Sequence, residues 1–233
     1  MFVLSQRLTV LFILATMFLF AQEPALPVEA DSTNVAPPID KRIFGVLPNY
    51  RTAEDTGTYQ PLTTKQKFRI AYKDSFDWPV FMVSAAFASL YQLEDSNPSF
   101  GQGLKGYARR YATSYADQAM GNVFTEGLLP SLLHEDPRYF RHPNGSKKSR
   151  VVYAATRILI TRTDSGANGF NYSELVGNSL ATGLSNLYYP ESRTFTDNIQ
   201  KLGVQLATDA FSNVLKEFWP DVKRKWFEKN DTP

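Results

Sequence analysis

The chain has 233 residues, with 25 Lys and Arg against 23 Asp and Glu, a formal net charge of +2 and no cysteine. So balanced a charge gives no field to gather nucleic acid. The lack of thiols excludes disulfides, a thiolate zinc site, a cysteine nucleophile and a lipid-modified N-terminal cysteine.

Residues Met1 to Phe20 carry a single basic residue, Arg7, ahead of an uncharged apolar run from Leu8 to Phe20, and Ala21 offers a small residue for cleavage. This is the pattern of a secretory signal peptide over 1–21, and its run is shorter than the roughly 20 apolar residues of a membrane span. From Gln22 to Pro61, prolines at 24, 27, 37, 38, 48 and 61 mark a linker. Within it, Arg42 to Tyr50 is too apolar to be left in water and is expected to dock as an extended strap. The rest, 62–229, reads as one helical domain.

Helix starts are signposted. Thr63 and Gln66 form a capping-box pattern, and Asp77 with Pro79 opens a helix to about Leu93. Ser99 with Gln102 is read as opening a helix to about Leu129, and Asn171 with Glu174 one to about Tyr189. A final helix is expected from Thr196 to Phe218, stopped by Pro220. Val151 to Thr161 has strand-like β-branched content but is read as helix from its neighbours. Hairpin signals are lacking, so the expected fold is an all-α bundle of about five to six helices with an N-terminal strap.

Small residues recur at helical spacing: Ala108, Ala112 and Ala116; Gly177, Ala181 and Ser185; Gly203 and Ala207. They permit close backbone approach in a tightly packed bundle, or in one partly immersed in a membrane. Tyr107, Tyr111 and Tyr115 run beside the first stripe. The segment Gly121 to Leu128 echoes Gly177 to Leu184, and Asn213 repeats part of it, a pattern of duplicated helical hairpins. Buried amides at Asn122, Asn178 and Asn213 would each need a partner.

Gly101, Gly103 and Gly106 spell G-x-G-x-x-G, but a turn and not a strand precedes them, so they are read as a helix entry and not a dinucleotide site. Thr163 to Gly166 is read as an Asp/Gly turn and not as part of a serine-protease site.

Chemistry, if present, is expected where both histidines lie. His134, Glu135, Asp136 and His142 are the candidate catalytic residues, with His134 as base oriented by Asp136. No metal motif is complete, and no cofactor is expected. The competing structural reading has His134 at a helix terminus while Arg138 and Arg141 pair with Glu135 and Asp136. Trp219, Lys223, Arg224, Trp226 and Phe227 combine rings with basic groups and are the candidate contact to a membrane surface or membrane protein.

The stretches RIFGVLPNY, NPSFGQGLKGYARRYATSY, LLHEDPRYFR and DAFSNVLKEFWPD resemble a family of uncharacterised exported bacterial envelope proteins, from Arg42 to about Lys225. The resemblance implies an envelope setting and no catalytic residues. The expected function is therefore non-enzymatic, packing against a membrane or membrane protein. The alternative is a hydrolase or metal-dependent enzyme centred on His134, Glu135 and Asp136.

Overall fold

A computed structural model describes residues 42–43, 47–53 and 59–226; the signal segment and Phe227 lie outside the described residues. The fold is mostly helical, as expected. Its helices are α1 (Thr64–Phe76), α2 (Trp78–Leu93), α3 (Gly103–Asn122), α4 (Leu129–Leu133), α5 (Lys147–Thr156), α6 (Tyr172–Ser185) and α7 (Phe195–Trp226). A π-helical turn, Val123–Leu128, joins α3 to α4 without a break, so the two form one rod.

Local chemistry sets most of the boundaries. Thr63 and Gln66 make the reciprocal capping box that starts α1. Asp77 accepts from the Trp78 N–H to open α2, with Pro79 in the first turn, where no amide hydrogen is needed. The Asn171 side chain accepts from Glu174 N at 3.1 Å to start α6.

Three boundaries differ from the sequence reading, the simplest being α6, which ends at Ser185 and not near Tyr189. The helix expected from Ser99 begins at Gly103, because Pro98–Phe100 form a 3-10 turn and Gly101 and Gly103 take φ of +74° and +71°. These left-handed values favour glycine, and Gly106 lets the Gly101 carbonyl lie where a β-carbon would otherwise stand, 2.1 Å from it. The G-x-G-x-x-G string is thus a folded turn at the head of α3.

The last helix does not stop at Pro220 but runs through it to Trp226. Proline withholds one helical hydrogen bond, and guanidiniums brace the chain at that turn. The Glu217 carbonyl accepts from Arg150 at 2.8 Å and from Arg141 at 3.1 and 3.3 Å. The fully buried Glu217 carboxylate takes Arg150 Nε at 2.8 Å, the Tyr139 hydroxyl at 2.7 Å and the His142 N–H at 3.1 Å.

Short strands tie the strap and loops to this frame. The strap forms an antiparallel pair, β1 (Arg42–Ile43) with β2 (Leu47–Pro48), and β3 (Thr52–Ala53) pairs in parallel with β5 (Tyr139–Phe140). Ile43 is buried, so the strap docks as expected. β4 (Glu135–Asp136), β6 (Ile160–Thr163) and β7 (Asn168–Phe170) make a small antiparallel sheet. The ambiguous 151–161 stretch is divided between the end of α5 and the start of β6. The Asp164–Gly166 turn then closes a hairpin that the sequence reading missed.

α2 packs on α3, α3 on α6, and α6 on α7, with α1 against the π-turn. Tyr107 and Tyr115 of α3 donate to the carbonyls of Ala85 and Ser75 at 3.2 and 3.3 Å, so tyrosines join α3 to its neighbours. Of the three small-residue stripes, Gly177, Ala181 and Ser185 are buried, whereas Ala108, Ala112, Gly203 and Ala207 are exposed. A β-carbon on Gly177 would sit 2.8 Å from the Thr125 methyl and 3.2 Å from backbone, while one on Gly183 meets nothing within 4 Å. Gly177→Ala should therefore cost about 1–3 kcal/mol in urea melts, and Gly183→Ala should gain roughly 0.5–1 kcal/mol.

Candidate functional site

The four residues expected to share a catalytic centre come together only in part: Glu135 and Asp136 border one cavity, and His134 and His142 do not. His134 ends α4 in the left-handed conformation, φ +56°, with its side chain 82% exposed. Its Nδ1 lies 3.6 Å from Asp164, not against Asp136. Glu135 and Asp136 are neighbours on a strand and face opposite sides. Glu135 accepts from the N–H groups of Tyr172 and Ser173 at 3.1 and 2.8 Å, meeting the positive end of α6. Asp136 receives the Arg138 guanidinium at 2.6 and 3.0 Å and the Tyr59 hydroxyl at 2.9 Å.

His142 stacks near Tyr153, with centroids 5.0 Å apart. Arg138 therefore pairs with Asp136, as the structural reading expected, but Arg141 bonds the Glu217 carbonyl and Glu135 binds backbone. Among the described residues, no group of three or more His, Asp or Glu is placed to hold a metal ion.

The C-terminal contact residues also separate. Trp219 is buried, Lys223 is half-buried, and Arg224 is exposed with Asp221 at 3.6 Å. The side chain of Trp226 lies outside what the structure describes. Burial removes Trp219 from any contact surface; it belongs to the interior.

The chemistry is instead concentrated where α1, the π-turn, α6 and α7 converge. Arg51, entering from the strap, places Nε 3.2 Å from Glu126 and 3.9 Å from Asp74. Glu174 and Asp209 lie on the other side, joined by the Asn178 amide at 3.1 and 3.4 Å, and Lys216 completes the cluster. Oε2 of Glu126 and Oδ1 of Asp74 are buried without a hydrogen-bond partner, as is the Ser173 hydroxyl. A cavity of about 40 Å³, room for a few water molecules, adjoins the cluster and is lined in part by Arg51, Thr125, Ser173, Glu174 and Asp209, together with the candidate residues Glu135 and Asp136.

The π-turn brings Glu126 here. Leu129 N–H reaches back to the Phe124 carbonyl, and Gly127 lets the Phe68 ring approach within 3.0 Å of where a β-carbon would stand. The extra residue in the turn shifts the helix register locally, a distortion found often at functional positions.

The electrostatics follow from burial. Desolvation, followed by the Asp209 charge, pushes Glu174 up to about 8; desolvation also raises Asp74, and it raises Glu126 well above the usual carboxylate range against the pull of Arg51. Lys216 is lowered to about 8 by burial and then by Arg51. Burial works to lower Arg51 too, but Glu126, Glu174, Asp74 and Asp209 outweigh it and leave its pKa raised.

Asn122, Asn178 and Asn213 are legible in the sequence as amides in need of partners, whereas nothing local marks Arg51, Asp74, Glu126 or Asp209. Comparison with protein-family models, with curated proteins and with solved structures returned no match.

Among the described residues, buried polar and charged side chains outnumber buried apolar ones, and many large apolar side chains are exposed. On α6 the exposed positions are Tyr172, Val176, Ser179, Leu180, Gly183 and Leu184, none of them charged; its one acid, Glu174, is buried. The exposed positions of α2 are also uncharged.

Because Glu174, Glu126 and Asp74 hold protons more tightly in the folded than in the unfolded chain, they favour folding at acid pH and lose that advantage as pH rises. For Glu174 the window runs from 4.5 to about 8. The melting temperature should fall between pH 5 and pH 8, and Glu174→Gln should flatten the decline. Lys216 acts oppositely, regaining stability only as pH rises from about 8 toward 10.5. A wild-type melting temperature that is flat from pH 5 to 8 would contradict this assignment.

Proposed function

We propose that this chain is an exported helical protein of the bacterial cell envelope, periplasmic or at the outer envelope, that packs against a membrane or a membrane protein and carries out no catalysis. The observation that carries the reading is the distribution of polarity among the described residues, with polar and ionisable groups gathered inside and large apolar side chains outside. In water a fold gains by the opposite arrangement, so apolar outer faces on this scale mark a surface that something apolar covers. The signal-like segment Met1–Ala21 and the resemblance to exported envelope proteins support the location. Among the described residues no helix is long and apolar enough to cross a membrane, so the association proposed is one of packing.

The alternative, a hydrolase or metal-dependent enzyme centred on His134, Glu135 and Asp136, is the less favoured reading: Glu135 and Asp136 both line the cavity, but His134 lies against Asp164 and not against Asp136. In cell fractionation the protein should sediment with membranes, resist a high-salt wash and be released by detergent. Recovery of the wild-type protein wholly in the soluble fraction would overturn the reading.

A further inference from the structure

Among the described residues, the four most exposed large apolar side chains are Leu93 (86%), Leu104 (85%), Phe195 (82%) and Leu187 (77%). They come from two separate loops. Leu93 and Leu104 flank the connection between α2 and α3, and Leu187 lies in the connection between α6 and α7, which Phe195 closes as the first residue of α7. These connections are neighbours: the Ser99 N–H donates to Glu191 at 2.8 Å, and the Phe100 and Tyr189 rings stack 5.9 Å apart. One end of the bundle thus displays two adjacent hairpin tips, each carrying two projecting apolar side chains.

We propose that these paired tips are a membrane-insertion surface whose occupant is the hydrocarbon and headgroup boundary of a lipid bilayer. The proposal rests on the membrane reading above and names its partner as lipid.

Three features favour lipid over a protein groove. The first is the continuation of the surface, since the exposed positions of α2 and α6 leading away from the tips are uncharged. α2 and α7 flank the row α2, α3, α6, α7, with apolar residues such as Met82 and Val204 exposed on them, so a fluid surround fits better than one partner on one side.

The second is that several polar groups of the tips are partnered from within, as a water-poor environment demands, while Glu94, Asp95 and Glu191 stay exposed. The buried Arg110 donates to the carbonyls of Ser96, Gly101 and Asn97 at 2.9, 2.6 and 3.3 Å. Arg193 reaches the Asn186 carbonyl at 2.7 Å, and Lys201 the Ser192 carbonyl at 2.8 Å. Asp95 takes donors from Gln102 and Arg110, and Asp197 takes the Thr194 N–H at 3.1 Å.

The third is that Lys105 and Arg109 are exposed on the first turns of α3, where headgroup phosphates meet an inserted tip. Acidic residues balance the basic ones here, so apolar insertion drives binding and salt should weaken it little.

A chain without cysteine allows clean single-site labelling. Leu104→Cys and Leu187→Cys would carry a polarity-sensitive fluorophore, with Leu132→Cys, exposed on α4 beyond the opposite end of α3, as the reference. On vesicles of phosphatidylethanolamine and phosphatidylglycerol, the two tip labels should shift to the blue and become shielded from an aqueous quencher, while the Leu132→Cys label stays accessible. The full-length Leu187→Ser/Phe195→Ser variant should fold with an unchanged melting temperature and lose tip insertion, with a partition constant reduced roughly tenfold for each side chain removed.

Water-accessible tip labels on vesicle-bound protein, or absence of vesicle binding by a wild type that sediments with cell membranes, would overturn the lipid assignment and leave the broader reading standing. A wild type found wholly in the soluble fraction defeats both.

Discussion

Placing four carboxyl groups in the interior of a small bundle costs more than packing alone returns, unless cations meet them there. Asp74, Glu126, Glu174 and Asp209 are held together by Arg51 and Lys216, and each element of the bundle that contributes an acid is thereby fixed relative to the others. The strap is part of this arrangement and not an ornament on it. Without Arg51 the acids face one another with Lys216 alone between them, and burial already draws that amine toward neutrality. Raised carboxyl pKa values are the compromise, since a retained proton removes charge that no cation covers.

A second ionic brace secures the last helix where proline should have ended it. Arg150 and Arg141 converge on the carbonyl of Glu217, and Arg150, Tyr139 and the His142 amide satisfy its carboxylate. The two braces share α7, through Lys216 and Glu217 as consecutive residues. Apolar contact is used sparingly inside, and this leaves the apolar residues for the outer faces of α2, α6 and α7.

Local signals survived well from sequence to structure. The Thr63 capping box, the Asp77 and Asn171 caps and the Asp164–Gly166 turn each depend on residues within a few positions of one another, and each is found. What was illegible depends on distant partners. Glu126 stands in an apolar-looking echo of Gly177–Leu184, and nothing local reveals that a π-turn will carry it toward Arg51. Pro220 reads as a terminator until Arg150 is known to bond Glu217 and Asp221 on either side of it. The His134 cluster drew attention through residue types alone, whereas strand geometry and two competing helix ends assigned its members to separate tasks. Small-residue spacing was equally indifferent to direction, because Gly177 faces Thr125 while Gly203 faces nothing within 4 Å.

The position of Arg51 has a consequence for how the chain acquires its form. Its guanidinium belongs to the first docked segment, and Lys216 to the last helix, so the cluster joins the two ends of the described chain. Contacts so far apart in sequence close late and slow the final step of folding. During synthesis the chain presents Arg51 first and must wait for Lys216 before its acids are neutralised. Until then the interior repels itself, and closure is withheld from any copy cut short before the last helix.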